Sequence, residues 1–249
     1  MEGGRILRNS QIIILGICIA AATIVSSLIL SKGFLKVTKF VKEQISVTGS
    51  AQKNISSDYI VWKASFSIRE VSLPVAYKRL NEDLEKVKKY LIGKGVSDKE
   101  IIVSQITTEK VYKKNEKGND TNDIQWYKLT QGIEVRSNDV DKITQVSRES
   151  TDLINDNVEF ESQAPEYFYT KLDELKIEML GKATQNAKAR AENMVKSTGN
   201  KIGAIRSARM GVFQITPINS TEVSDWGVND TTSLEKRVTA VVSAAFAIE

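Results

Sequence analysis

The chain has 249 residues, 41% hydrophobic and 27% charged, which suits a membrane segment plus one sizeable globular domain and is too apolar for a chain disordered throughout. It has no histidine, and its single cysteine is Cys18; this excludes Ser-His-Asp and Cys-His catalysis, histidine-ligated zinc and disulfides. The formal charge of +4 arises within residues 1–44, where six basic residues face two acidic ones, while the remainder balances 29 against 29; the pI near 8.9 therefore makes no case for nucleic acid.

Residues 1–11 are a short N-terminal tail carrying Arg5 and Arg8. From Ile12 to Leu30 run 19 uncharged residues. As a helix they reach roughly 28 Å, the thickness of a bilayer's hydrocarbon layer. A cleaved signal peptide has a shorter apolar core and a small-x-small cleavage site. Here the core is long, and Leu28-Ile29-Leu30-Ser31 lacks the small residue three places before a cut. The expected reading is a retained anchor that contacts membrane lipid through residues 12–30. Residues 31–44 form a basic connector with Lys32, Lys36, Lys39 and Lys42, able to continue the helix into the headgroup layer with its lysines snorkelling. Counting two Arg before the span and four Lys after it would place the C-terminal domain in the cytoplasm.

The expected domain spans 45–249. Ile45, Val47, Gly49 and Ala51 alternate with polar residues as in a strand, and Asp58 falls in the turn that follows. Ile60, Trp62, Ala64, Phe66 and Ile68 then share one face of a half-buried strand. Ser72 and Pro74 suit a helix start, with an apolar stripe at Leu73, Tyr77, Leu80, Leu84, Val87 and Leu91 ending at Gly93 and Gly95. Residues 101–114 and 124–137 read as paired strands around a polar loop, 115–123. Tyr127, Leu129, Gln131, Ile133 and Val135 share a face of the second. Asn138 is the expected cap of a helix carrying Val140, Ile143, Val146, Ser150 and Leu153. A short strand at 158–162 precedes a bend at Pro165 and a long helix over about 171–198, stopped by Gly199. Strands at 202–215 and 236–248 close the chain. The order ββα-ββ-αβα-ββ, with three helices after one N-terminal transmembrane helix, predicts an α+β fold with antiparallel sheets.

No catalytic, cofactor-binding or metal-ligating set emerges. Gly199-Asn200-Lys201-Ile202-Gly203 lacks phosphate-loop spacing and ends a helix. Asn119-Asp120-Thr121-Asn122-Asp123 lacks the glycine and distal glutamate of a calcium loop. Glu159 with Glu161, and Asp173 with Glu174, are carboxylate pairs that could do glycosidase-type acid–base work, and a solvated strand face or helix start explains them more simply. Ala183, Ala187 and Ala191 form a small-residue row, a subunit contact in one reading and packing on the domain's own sheet in the favoured one. The polar stretch 217–234 carries Trp226, which suits either a partner anchor or a lid on the core.

Several segments resemble the bacterial SIMPL domain. Ile45-Ser46-Val47-Thr48-Gly49-Ser50-Ala51 resembles the family's opening V-x-G-x-A/G strand, continued by Asp58-Tyr59-Ile60-Val61-Trp62. Pro165 to Leu172 resembles the approach to the family's long helix. The strongest match is Met179 to Glu192, then Gly199 to Ile205 and Ala208 to Phe213. The resemblance implies an α+β domain outside the cytoplasm, against the charge count, in a group linked to envelope antigens and an oxidative-stress defence protein. It implies ring-like homo-oligomers in some members and no catalytic residue; with the lack of reactive side chains it leads to the expectation of a non-enzymatic, self-associating envelope protein whose envelope partner is unknown.

Overall fold

A computed structural model describes residues 3–249, with side chains described for 14–35 and 43–249. Among the described residues it has four α-helices and mainly antiparallel sheets, the α+β class expected. The chain divides into two compact units: Met1–Ala51 with Leu180–Gly211 and Val241–Glu249, and Gln52–Met179 with Val212–Ala240.

The first unit opens with α1 (Gly3–Lys42), whose stretch Ile14–Leu35 is, among the described residues, the one helix segment long and apolar enough to cross a membrane. The helix runs through most of the expected connector because Ser31–Lys42 holds no proline, and Gly33 alone costs a helix only about 1 kcal/mol. The side chains of Lys36, Lys39 and Lys42, expected to snorkel, lie outside the described residues, as do residues 1 and 2 of the tail. Strand β1 (Gln44–Ser56) follows α1 with Glu43 alone between them. Within this unit the C-terminal part of β11 (Glu235–Ile248) hydrogen-bonds to β1 and to β8 (Ile202–Met210), the latter antiparallel with Ala244 opposite Ala208 and Ile248 opposite Ile202. A bulge interrupts that register beside Phe246.

Helix α4 (Leu172–Lys196) covers one face of these strands. Its Ala183, Ala187 and Ala191 are fully buried, and Ala187 and Ala191 cluster with Val47, Ala244 and Phe246. Gly49 lies against the helix main chain: a methyl added there would fall on the Ala183 carbonyl oxygen and the Ala187 nitrogen, and 2.7 Å from the Ala187 Cα. The alanine row and the missing Cβ at Gly49 together bring strand and helix into backbone contact.

The second unit is built on a sheet in which β5 (Asp120–Ser137) pairs with β2 (Tyr59–Glu70), with the short strand β3 (Ile101–Val103) and with β4 (Thr107–Lys114), while β2 also pairs with β6 (Glu159–Ser162) and β7 (Glu166–Phe168). Helices α2 (Leu73–Gly93) and α3 (Val140–Glu149) supply the apolar layer on this sheet. Ile60, Trp62, Ala64 and Phe66 of β2 are buried, as the period-two pattern requires. The Trp62 indole N–H donates to Ser162 Oγ at 3.1 Å, and Ser162 Oγ in turn donates to the Ser147 carbonyl at 3.1 Å, so the buried polar tip is satisfied. Also in this unit, β9 (Gln214–Pro217) pairs antiparallel with the first residues of β11, and β10 (Val228–Asn229) adds a short parallel pairing to β9.

Several local expectations are corrected. Tyr77 and Leu73 are 54% and 40% exposed; the buried stripe of α2 runs instead through Ala76, Leu80, Asp83, Val87 and Leu91. Ser72 occupies the N-cap position without a side-chain bond, and α3 is capped by Asp139 rather than Asn138, its carboxylate accepting from the Lys142 N–H at 3.2 Å. The strand expected over 101–114 breaks at Ser104, which receives the Gly132 N–H on its hydroxyl at 2.8 Å, and the strand expected over 202–215 breaks at Gly211–Phe213. The 115–123 loop shrinks to a turn in which Asn115 Oδ1 accepts from the Lys117 and Asn119 N–H groups, and residues 120–123 join β5. Ser150 and Leu153 are buried, but on a 3-10 turn (Ser150–Asp156) that follows α3.

Candidate functional site

Of the four carboxylates considered for acid–base work, two are engaged in ion pairs. Glu159 lies on β6 and pairs with Arg69 at 3.2 Å, Glu161 lies on the same strand opposite Ser65, and Asp173 and Glu174 occupy the first turn of α4, where Asp173 faces Lys176 at 3.7 Å. Acidic side chains in a first turn match the positive end of the helix. Asp120 to Asp123, read in the sequence as a fragment of a calcium loop, are strand residues, so their side chains alternate faces instead of converging. Among the described residues no group of three or more acidic, cysteine or histidine side chains is placed to share a metal ion.

A recess of about 720 Å³ in the second unit lies by the last turn of α2 between Lys86, Lys89, Tyr90 and Lys94 and the segment Asn155–Asn157. Three lysines suggest an anion, but two are engaged. Lys86 donates to Asp83 at 2.8 Å, and Lys94 to Glu149 at 2.7 Å. The bond to Glu149 raises the Lys94 ammonium and lowers the Glu149 carboxyl from their ordinary ranges. Burial pushes the Tyr90 hydroxyl up, against the opposing charge of Lys94. The recess also sits at a helix C-terminus, where the macrodipole disfavours negative charge. It is a wide, solvated notch.

Trp226 is 93% exposed and Val223, three residues earlier, 78%. The lid reading fails at that exposure. The segment is nevertheless tied down. The buried Gln214 side chain donates through Nε2 to the Ser224 carbonyl at 2.7 Å and accepts from the Ser224 N–H at 3.4 Å. The Ser224 hydroxyl accepts from the Trp226 N–H at 3.2 Å, and Gly227 takes φ +88°, a left-handed conformation that suits glycine. An indole is thus presented to solvent on an anchored turn. Exposed large aromatics on preordered backbone are what partner surfaces use as anchors.

A feature with no simple sequence signal holds the other end of this segment. Lys236, on β11, is 3% exposed, and its ammonium donates to the carbonyl oxygens of Tyr167, at 2.6 Å, and Asp230. Burial lowers its pKa, and the Asp230 carboxylate partly offsets this. Burial also raises the Asp230 carboxyl, yet hydrogen bonds from Thr232 and Ser233 and the charge of Lys236 outweigh it and leave the group below its ordinary range. The lysine staples β7 and the 230–233 turn to β11. In the sequence it is one lysine beside Arg237 in an alternating strand, where a solvated charge is the default. The alanine row, the remaining predicted interaction element, is filled by its own unit's strands and presents no surface.

These features define a class: a chain with an N-terminal helix long and apolar enough to cross a membrane and an α+β body that presents an exposed aromatic on an anchored turn. The family model that matches it is SIMPL, described as a protein of unknown function (DUF541), over residues 45–246. The chain belongs to the SIMPL family. Comparison with curated proteins gives no match.

Proposed function

We propose that this is a membrane-anchored, extracytoplasmic SIMPL protein with a non-enzymatic binding and assembly role in the cell envelope, connected with stress. The carrying observation is Trp226, 93% exposed on a turn fixed by Gln214 and Ser224. A large exposed indole offers more contact area at lower ordering cost than a flexible loop does. A second support is β8, paired to β11 along one edge with no strand paired to the other among the described residues. Its bulge blunts that edge, so the indole is the stronger anchor.

The test is a photocrosslinking amino acid in place of Trp226 in the full-length protein in intact cells, with the same group at Lys117 in the β4–β5 turn as control. An adduct with a second copy or an envelope protein at 226 and not at 117 supports the reading. Equal labelling at both positions, or none at 226, removes it. The cytoplasm-facing alternative is favoured by the charge count around the helix. Protease added to spheroplasts separates the two: digestion of the domain without lysis requires the extracytoplasmic orientation.

A further inference from the structure

We propose that the end of the first unit where α1 enters is a docking surface for anionic lipid headgroups, with Lys196 and Lys201 as its domain-borne cations. This rests on the membrane-anchored reading. The stretch Ile14–Leu35 reaches roughly 33 Å as a helix, which fills the hydrocarbon layer. From Leu35 to the end of α1 at Lys42 is roughly 10 Å more, about the depth of the headgroup layer. Only Glu43 then separates the helix from β1. So short a link holds the start of β1 at the lipid surface.

The residues beside that start are fixed by main-chain bonds. The Ile248 N–H donates to the Glu43 carbonyl at 3.2 Å. Lys201 and Glu249 exchange two backbone hydrogen bonds, each 2.8 Å, so Lys201 sits at the strand ends where α1 joins. Lys196, in the last turn of α4, shares a recess of about 320 Å³ with Lys201, Val195, Asn200 and Glu192. Glu192 faces Lys188 at 3.7 Å, which neutralises it. The segment from Leu35 to Gln44 adds Lys36, Lys39 and Lys42 by sequence. Five lysines against Glu43 and Glu249 leave this end cationic, while residues 45–249 as a whole carry no net formal charge. A positive end set at headgroup depth on an otherwise balanced domain is the pattern that anionic bilayers attract.

The experiment uses the full chain in nanodiscs, one set of pure phosphatidylcholine and one with phosphatidylglycerol, and lysine acylation read by mass spectrometry. Lys113 and Lys117, in the β4–β5 hairpin, serve as internal references. Two surface cations favour the docked state by roughly thirtyfold, so acylation of Lys196 and Lys201 in the anionic discs slows at least about tenfold relative to the references. At 0.5 M salt the protection falls away, because exposed charge attraction is screened within a few ångströms. Equal rates in the two lipids, with the protein still resistant to alkaline carbonate extraction, overturn the docking surface and leave the anchor standing. Extraction by carbonate overturns both.

Discussion

Replacing Gly49 with alanine tests whether the family's opening strand motif exists for packing. The added methyl would overlap the main chain of Ala183 and Ala187 and lie 2.7 Å from the Ala187 Cα, where ordinary carbon contacts need about 3.5–4.0 Å. Strand and helix must withdraw by roughly 1 Å, and a gap of that size forfeits a quarter to a half of the dispersion energy across it. The affected layer includes Val47, Ala187, Ala191, Ala244 and Phe246, all buried. Overpacking alone costs about 1–3 kcal/mol, and the lost contacts raise the total to about 3–5 kcal/mol. For a domain of this size that lowers Tm by roughly 10 °C. Thermal unfolding followed by circular dichroism measures it. Gly203→Ala is the control, since its methyl meets only the end of the Glu249 side chain and changes Tm little. A Tm within 2 °C of wild type for Gly49→Ala, about one fifth of the expected shift, refutes the reasoning. So does full rescue by Ala187→Gly, because the obstacle is main chain and not the alanine methyl.

Lys236→Met removes a side-chain donor from the Tyr167 carbonyl and from the Asp230 carbonyl; it destabilises by about 2–4 kcal/mol, read as a fall in the denaturant midpoint without a change in slope. The pH dependence of wild type relative to this variant has a definite sign. Lys236 has its folded pKa below the unfolded 10.5, so the unfolded state holds more protons between those values and wild type gains stability on the variant as pH climbs through that window. Below the window the difference is flat, and a difference that shrinks as pH climbs toward 10.5 contradicts the assignment. Asp139→Ala costs about 1 kcal/mol through loss of the α3 cap, whereas Asn138→Ala is close to neutral in the same urea titration. Trp226→Ala leaves Tm unchanged within about 1 °C and removes the iodide-quenchable, red-shifted part of the tryptophan emission, since the indole is solvent-exposed and contributes no core.

Where burial follows a simple period, the sequence was legible. The β2 face from Ile60 to Phe66, the β5 face through Leu129, Ile133 and Val135, and the α4 row of alanines are each buried as their spacing requires. The α2 stripe was shifted by one residue at its start. Large residues attract attention at Leu73 and Tyr77, but the sheet accepts the small Ala76, and helix direction decides which is covered. Caps are ambiguous for a related reason. Asn138 and Asp139 are both competent acceptors, and only the entry angle of the chain after β5 selects Asp139. The strand breaks at Ser104 and at Gly211–Phe213 depend on hydrogen bonds from distant residues, the first with Gly132, the second with Val241, which no local pattern encodes.

Lys236 marks the deeper limit. A buried ammonium is costly unless carbonyls replace its water, and here two residues far apart in sequence, Tyr167 and Asp230, provide them. Each of those carbonyls would itself be left short of a donor if the lysine were absent, so the arrangement is stabilised by mutual need and not by composition. The same logic explains the exposed indole. Gln214 gives its buried amide to Ser224, and that one side chain places Trp226 outside instead of over the core. In the sequence Gln214 is one more residue of an expected strand and Trp226 stands between partner anchor and lid; Gln214 keeps its place in the strand, its buried amide takes main-chain partners at Ser224, and the indole lies outside. Polar residues buried for the sake of another segment's backbone are thus what convert this polar stretch from a loose loop into a presented surface.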